Sequence, residues 1–259
     1  MSRKRARNAG TGVKLPSASA AVPQARDVAR VAALDALRGL AILAMVAYHF
    51  SFDLNFFGVT RWDFYHDAFW LNARTMILSS FLLIAGVSLV LAQKYRPSST
   101  RFWRHVAIIA TCAFGVSAAS YLLFPQSWIW FGVLHAIAAS LILARPLVRR
   151  PALALVIGVI VIAAGNLYAH PAFDSRALGW IGFMTAKPRT EDYVPLFPWF
   201  GVLLLGIAAG HALVRSNFRT IAFAKTLPRG IAWIGRHSLA VYMVHQPLLI
   251  GTLYLVAGR

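Results

Sequence analysis

Residues 34–57 read LDALRGLAILAMVAYHFSFDLNFF. The stretch is long and apolar enough to cross a bilayer as one helix. It nevertheless carries Asp35, Arg38, His49 and Asp53. At about 100° per residue these four fall within an arc of roughly 60°, spread over roughly 27 Å of axis. An ionisable side chain in a membrane span is costly unless it faces protein or water. Four on one face predict a polar seam through a helix bundle. Salt bridges that lock helices together are one reading of that seam. A functional site is the other, and intramembrane ionisable groups favour it.

Composition points the same way. Of 259 residues, 59% are hydrophobic and only 13% charged. A soluble domain carries about 25% charged residues, so the expected fold is an all-α integral membrane protein. The formal charge of +18 is dispersed between apolar blocks rather than gathered on one domain. That argues against nucleic acid as a partner and for a bilayer with anionic lipids. The single cysteine, Cys112, excludes a disulfide or a Cys-based metal site within the chain, and no metal is expected. Residues 1–33 are rich in Ala, Ser, Arg and Lys and lack the apolar content to fold alone. We expect there a disordered, uncleaved basic cytoplasmic tail, followed by a transmembrane domain over 34–259.

Further apolar blocks lie at 68–92, 106–124, 128–145, 152–169, 195–214 and 238–257. With the first stretch they predict about seven spans. Residues 215–237 contain TIAFAKTLPRGIAWI, which reads as an interfacial amphipathic helix. Seven spans put alternate loops on opposite sides. Nineteen Lys and Arg then share the side of the tail and five fall on the other. This predicts a cytoplasmic N-terminus and an external C-terminus in the cell membrane. Asp63, Asp67, Asp174, Glu191 and Asp192 all fall on the external side.

His49 and Asp53 are one helical turn apart, and a carboxylate beside an imidazole can fix its tautomer and raise its basicity. Such a pair suits a general base; it equally suits a structural His–Asp contact. Arg74, inside the second span, needs an anionic partner, and Asp53 lies at similar depth. His135 shares that depth in the fourth span, where a lone histidine is more often structural. The external loop ends in EDYVPLFPWFG, whose two prolines predict a rigid, broken start to the next span and present Asp192 and Trp199 there. The last span reads GRHSLAVYMVHQPLLIG, beginning beside Arg236. Ser238, Tyr242 and His245 share one face, and Pro247 frees the carbonyl of Met243 beside His245 and Gln246.

Together LDALRGLAILAMVAYHF, FLLIAGVSL, FGVLH, DYVPLFPWFG and GRHSLAVYMVHQP resemble the bacterial membrane proteins related to the catalytic domain of heparan-alpha-glucosaminide N-acetyltransferase. The resemblance covers roughly residues 30–257. It implies a multi-span enzyme that moves an acetyl group from acetyl-CoA to an acceptor across the bilayer. In the lysosomal relative that acceptor is the amine of a terminal glucosamine. The wider superfamily of membrane O-acyltransferases has a similar Arg-Gly-x-Ala pattern followed by a histidine, matched by Arg38, Gly39, Ala41 and His49. That pattern places the working histidine at His49. The lysosomal enzyme has its histidine in a His-Ala-Ser-Trp context, for which His66 in HDAFW is the nearest match.

The leading expectation is therefore an acyltransferase. Asp35 and Arg38, with Arg236, would serve the cytoplasmic donor. Asp192 and Trp199 would meet an external sugar or glycan acceptor, offered as an amine or a hydroxyl. Arg74, His135, Tyr242, His245 and Gln246 would line the path. His49, or alternatively His66, would deprotonate the acceptor or carry the acetyl group. The alternative is a non-catalytic transporter or assembly factor for envelope glycans, which a polar seam would also suit. A homo-oligomer is compatible with the sequence, which does not select one.

Overall fold

The computed structural model describes residues 25–188, 190 and 192–257, and every regular element among them is helical. The order is α1 (Ala25–Phe56), α2 (Ala68–Tyr95), α3 (Ser99–Leu123), α4 (Val133–Ala144) and α5 (Pro151–Leu167), then α6 (Arg176–Gly179), α7 (Leu196–Arg215), α8 (Arg229–Arg236) and α9 (Ser238–Ala257). The tail expected to be disordered lies outside the described residues as far as position 24. From Ala25 the chain is helical, so α1 begins ahead of Leu34.

Five helices are long and apolar enough to span a membrane: α1 from Ala32, α2, α3, α7 and α9. The other two of the expected seven are shorter. The 12 residues of α4 rise about 18 Å and the 17 of α5 about 25 Å, against a hydrocarbon core of about 30 Å. Local hydrogen bonding explains the short α4. In WIWFG the Ile129 carbonyl accepts from Ser117 Oγ at 2.6 Å and the Ile129 N–H donates to Ser120 Oγ at 3.0 Å. The Phe131 carbonyl accepts from Val194 N–H at 3.2 Å. Backbone groups spent on neighbouring segments cannot enter a helical ladder, and α4 starts only at Val133.

α7 is the central post, with Leu203, Leu204 and Ile207 fully buried. Small residues bring its backbone close to both neighbours. A Cβ added to Gly206 would lie 2.4 Å from the Leu83 carbonyl of α2, and one added to Gly201 2.5 Å from the Gly158 carbonyl of α5. Close backbone approach through small residues is how helices gain contact where lipid offers no hydrophobic drive. The start of α7 is broken as the prolines predict: Phe197 is extended (φ −93°, ψ 128°) and its bond to Pro198 is cis. Pro247, by contrast, does not break α9, which continues through it to Ala257. The expected single amphipathic helix is two pieces, a 3₁₀ turn over Arg219–Lys225 and α8, split at Leu227–Pro228 where proline lacks an N–H and restricts the residue before it. Both pieces pack on α1.

The two ends of the bundle differ in charge. Segments 96–98, 145–150 and 216–237 carry arginines at one end. At the other, loops 57–67, 124–132 and 168–195 are stitched together. Lys187 Nζ lies 6.0 Å from the Tyr65 ring, and Thr190 Oγ1 donates to the Trp128 carbonyl at 3.2 Å.

Candidate active site

A cavity of about 1000 Å³ opens among α1, α2, α3, α4 and α9. Its basic end is lined by Arg38, Arg96, Arg101, His105, Arg145, Arg149 and Arg236. Its middle is apolar, with Ile42, Met45, Ile77, Phe81, Leu89, Leu134 and Ile137. Its far end is lined by Tyr48, His49, Arg74, Asp192 and Tyr242. Arg38 and His49 are eleven residues apart on α1, about 16 Å of helical rise. The cavity thus joins a cation cluster to an imidazole through a greasy throat.

At the basic end, Arg38 Nη1 donates to Asp35 Oδ1 at 2.8 Å and Nη2 to Ser88 Oγ at 2.9 Å. Asp35 is buried and keeps this cation paired inside the protein. Arg145 Nη2 donates to Ser99 Oγ at 2.8 Å, and its guanidinium lies over the Phe102 and Trp103 rings. Sequence reading missed Arg101, His105, Arg145, Arg149, Ser88 and Tyr48. In the sequence Arg101, Arg145 and Arg149 read as topogenic charge, and only the fold brings them to one mouth.

At the far end, Asp192 Oδ2 accepts from the Val133 N–H at 3.0 Å and from the Tyr242 hydroxyl at 3.1 Å. Val133 begins α4, whose N-terminus favours a carboxylate. Burial pushes the Asp192 carboxyl up from its ordinary value, while those two hydrogen bonds, Arg74 and His135 pull it back. Arg74 Nη2 donates to the Tyr193 carbonyl at 3.3 Å, so its hydrogen bond goes to this loop and not to Asp53. His135 is held at both nitrogens. Gly132 N–H donates to Nδ1 at 3.2 Å, and Nε2 sits 3.3 Å from Ser117 Oγ. It fastens the start of α4 to α3.

The histidine near Asp53 has a different partner from the one its spacing suggests. Asp53 is buried and its Oδ1 accepts from Gln246 Nε2 of α9 at 2.9 Å. The His49 ring packs against the His245 ring, centroids 5.1 Å apart and planes at 58°. α1 and α9 are therefore joined by two rungs, His49 on His245 and Asp53 on Gln246. His66 lies outside this group on an exposed loop, its Nδ1 2.9 Å from Asp63 Oδ2. The Tyr65 N–H and the His66 ring hold the Asp63 carboxyl below its ordinary value. Trp199 packs on the apolar core of α7 and is not among the cavity residues.

The family model for the heparan-alpha-glucosaminide N-acetyltransferase catalytic domain matches residues 30–247. No curated protein and no solved structure matches the chain. The matched span begins just ahead of the Asp35–Arg38 pair and ends two residues past His245, so it encloses every cavity residue from Arg38 to Tyr242. A multi-pass helical protein whose cavity residues all fall within that match belongs to the heparan-alpha-glucosaminide N-acetyltransferase catalytic-domain family, a family of membrane acetyltransferase type.

Proposed function

We propose that the cavity takes an acyl-CoA, acetyl-CoA first among them, and passes its acyl group to an amine or hydroxyl of a sugar or glycan that arrives from the opposite end. The observation that carries this reading is the run of one cavity from seven cationic or titratable side chains to His49. Arginines recognise phosphate with paired, charge-assisted hydrogen bonds. The apolar throat suits the uncharged arm of the donor, and the thioester would then lie beside His49. His49 takes the proton from the acceptor nucleophile as it attacks the thioester carbonyl. The acyl–sulfur bond breaks as the new acyl bond forms, and the proton passes to the departing thiolate. Asp192 and Tyr242 would meet the acceptor. His66, exposed and bonded to Asp63, would take no part.

The test is thioester consumption by detergent-purified protein, read as free thiol with and without glucosamine or an oligosaccharide acceptor. Acceptor-dependent thiol release is expected. Absence of turnover, with glycan flux in sealed vesicles, would favour the transport alternative.

Two results should follow. Arg149 lines the basic mouth and is exposed. Arg149→Gln should raise KM for the thioester roughly 10-fold by removing one charge-assisted contact, with kcat nearly unchanged. A fall in kcat at constant KM would move the donor elsewhere. The charge asymmetry further orients the basic end toward the cytoplasm. In a Cys112→Ala background, cysteines at 62 and 180 should label in intact cells, and one at 98 only after permeabilisation. Labelling at 98 in intact cells would reverse the orientation.

A further inference from the structure

Two acceptor atoms stand out where α1 meets α9, and one of them bears on His49. His245 is buried, with 9% of its surface exposed. Its Nδ1 lies 2.6 Å from the Tyr242 carbonyl. A carbonyl only accepts, so Nδ1 carries the proton and Nε2 is left as a bare lone pair. That Nε2 is fully enclosed and has no hydrogen-bond partner among the described residues. Gln246 Oε1, one residue on, is in the same condition. A buried acceptor left unmatched is costly and rare, and each instance calls for an explanation. The ring nearest to His245 on the cavity side is His49.

We infer that His245 is the positioning residue for His49: its Nε2 receives the N–H of the His49 ring during turnover and so turns the other His49 nitrogen, as a lone pair, into the cavity. The ring centroids are 5.1 Å apart and the histidine χ2 torsion is broad, so His49 has the freedom to turn a ring N–H toward His245. The arrangement does for His49 what the carboxylate does in a Ser-His-Asp triad, with a neutral imidazole in that role. His245 is in turn fixed by a backbone carbonyl of its own helix, which cannot swing away. When His49 gains the acceptor's proton, the same contact becomes a charge-assisted hydrogen bond and holds the imidazolium until the thiolate collects the proton. No proton is lost to His245 in the cycle. Asp53, engaged by Gln246, serves as the second rung that keeps α9 in register with α1.

This rests on His49 acting as the base, so the experiment separates the two claims. Steady-state transfer is measured for His49→Ala, His245→Phe, His245→Gln and the His49→Ala/His245→Phe double variant, each beside its melting temperature in detergent. His245→Phe keeps a ring but no acceptor, and kcat should fall about 10–100-fold with KM for the thioester unchanged. His245→Gln offers a carbonyl acceptor and should recover a good part of that loss. The double variant should be no slower than His49→Ala alone, because a group that acts only through His49 has nothing left to act on. Equal rates for the Phe and Gln variants, or an additive loss in the double variant, would overturn the inference. A melting temperature that falls in step with rate in both His245 variants would also overturn it, leaving His245 a packing group. If His49→Ala itself turns over normally, it is the assignment of the base that fails.

Discussion

His49→Ala is expected to lower acyl transfer by about 10²–10⁴-fold, the usual cost of losing a general base. The protein should fold, since the His49 ring is partly exposed to the cavity and the helix around it is held by Ile42, Met45 and Asp53, all buried. KM for the thioester should change little. The arginines that would hold its phosphates begin at Arg38, about 16 Å along the same helix. A loss in kcat at steady KM is the signature of an interaction made in the transition state and not in the ground state. His66→Ala supplies the comparison. His66 is exposed on the loop before α2 and bonded to Asp63, and its removal should leave transfer unchanged. Should His66→Ala be inactive and His49→Ala normal, the chemistry belongs on the external loop, as the alternative alignment of the family's histidine would have it.

The sequence and the structure agree where local pattern decides the matter. Hydropathy located α2, α3, α5, α7 and α9 to within a few residues except at the start of α3, because an apolar run bounded by Arg, Pro and Ser has one way to satisfy its backbone in lipid. The polar face of α1 was legible for the same reason. What spacing could not supply is the partner across the interface. Asp53 lies one turn from His49 and was the natural mate for it and for Arg74, yet Gln246 takes its Oδ1 and Tyr193 takes Arg74. Those contacts are set by how α9 and the loop at 190–195 settle against α1 and α2. The same holds for α4. WIWFG is apolar enough to be helix, and only its bonds to the Ser117 and Ser120 hydroxyls of α3 and to the Val194 N–H show why it is not. The basic mouth was legible only in part, through Arg38 and Arg236. Arg101 in the first turn of α3 and Arg145 and Arg149 in the segment after α4 are far apart in sequence and converge only in the fold.

Gly39 is the position where family pattern and packing can be told apart. In the Arg-Gly-x-Ala run of α1 it could be kept for chemistry or for space. A Cβ built on it would lie 2.0 Å from the Ile231 carbonyl oxygen of α8, and one on Gly235 would lie 1.8 Å from the Asp35 carbonyl oxygen of α1. The two helices meet glycine to backbone in both directions, and backbone cannot move aside as a side-chain tip can. Gly39→Val therefore has to push α8 off α1. Overpacking a tight site costs about 1–3 kcal/mol and more when backbone must shift, so a large drop in melting temperature is expected. Because α8 ends at Arg236, which lines the basic mouth, the surviving folded fraction should also bind the thioester less well. Gly230 on the same α8 is the control: nothing lies within 4 Å of its Cβ position. Gly230→Ala should leave melting temperature and KM unchanged or raise stability slightly, since alanine favours helix over glycine by about 1 kcal/mol. A Gly39→Val variant as stable as wild type but unable to transfer would show that Gly39 serves the reaction directly. Loss of stability with a raised KM, and a kcat near normal in what remains folded, is the outcome the close helix contact requires.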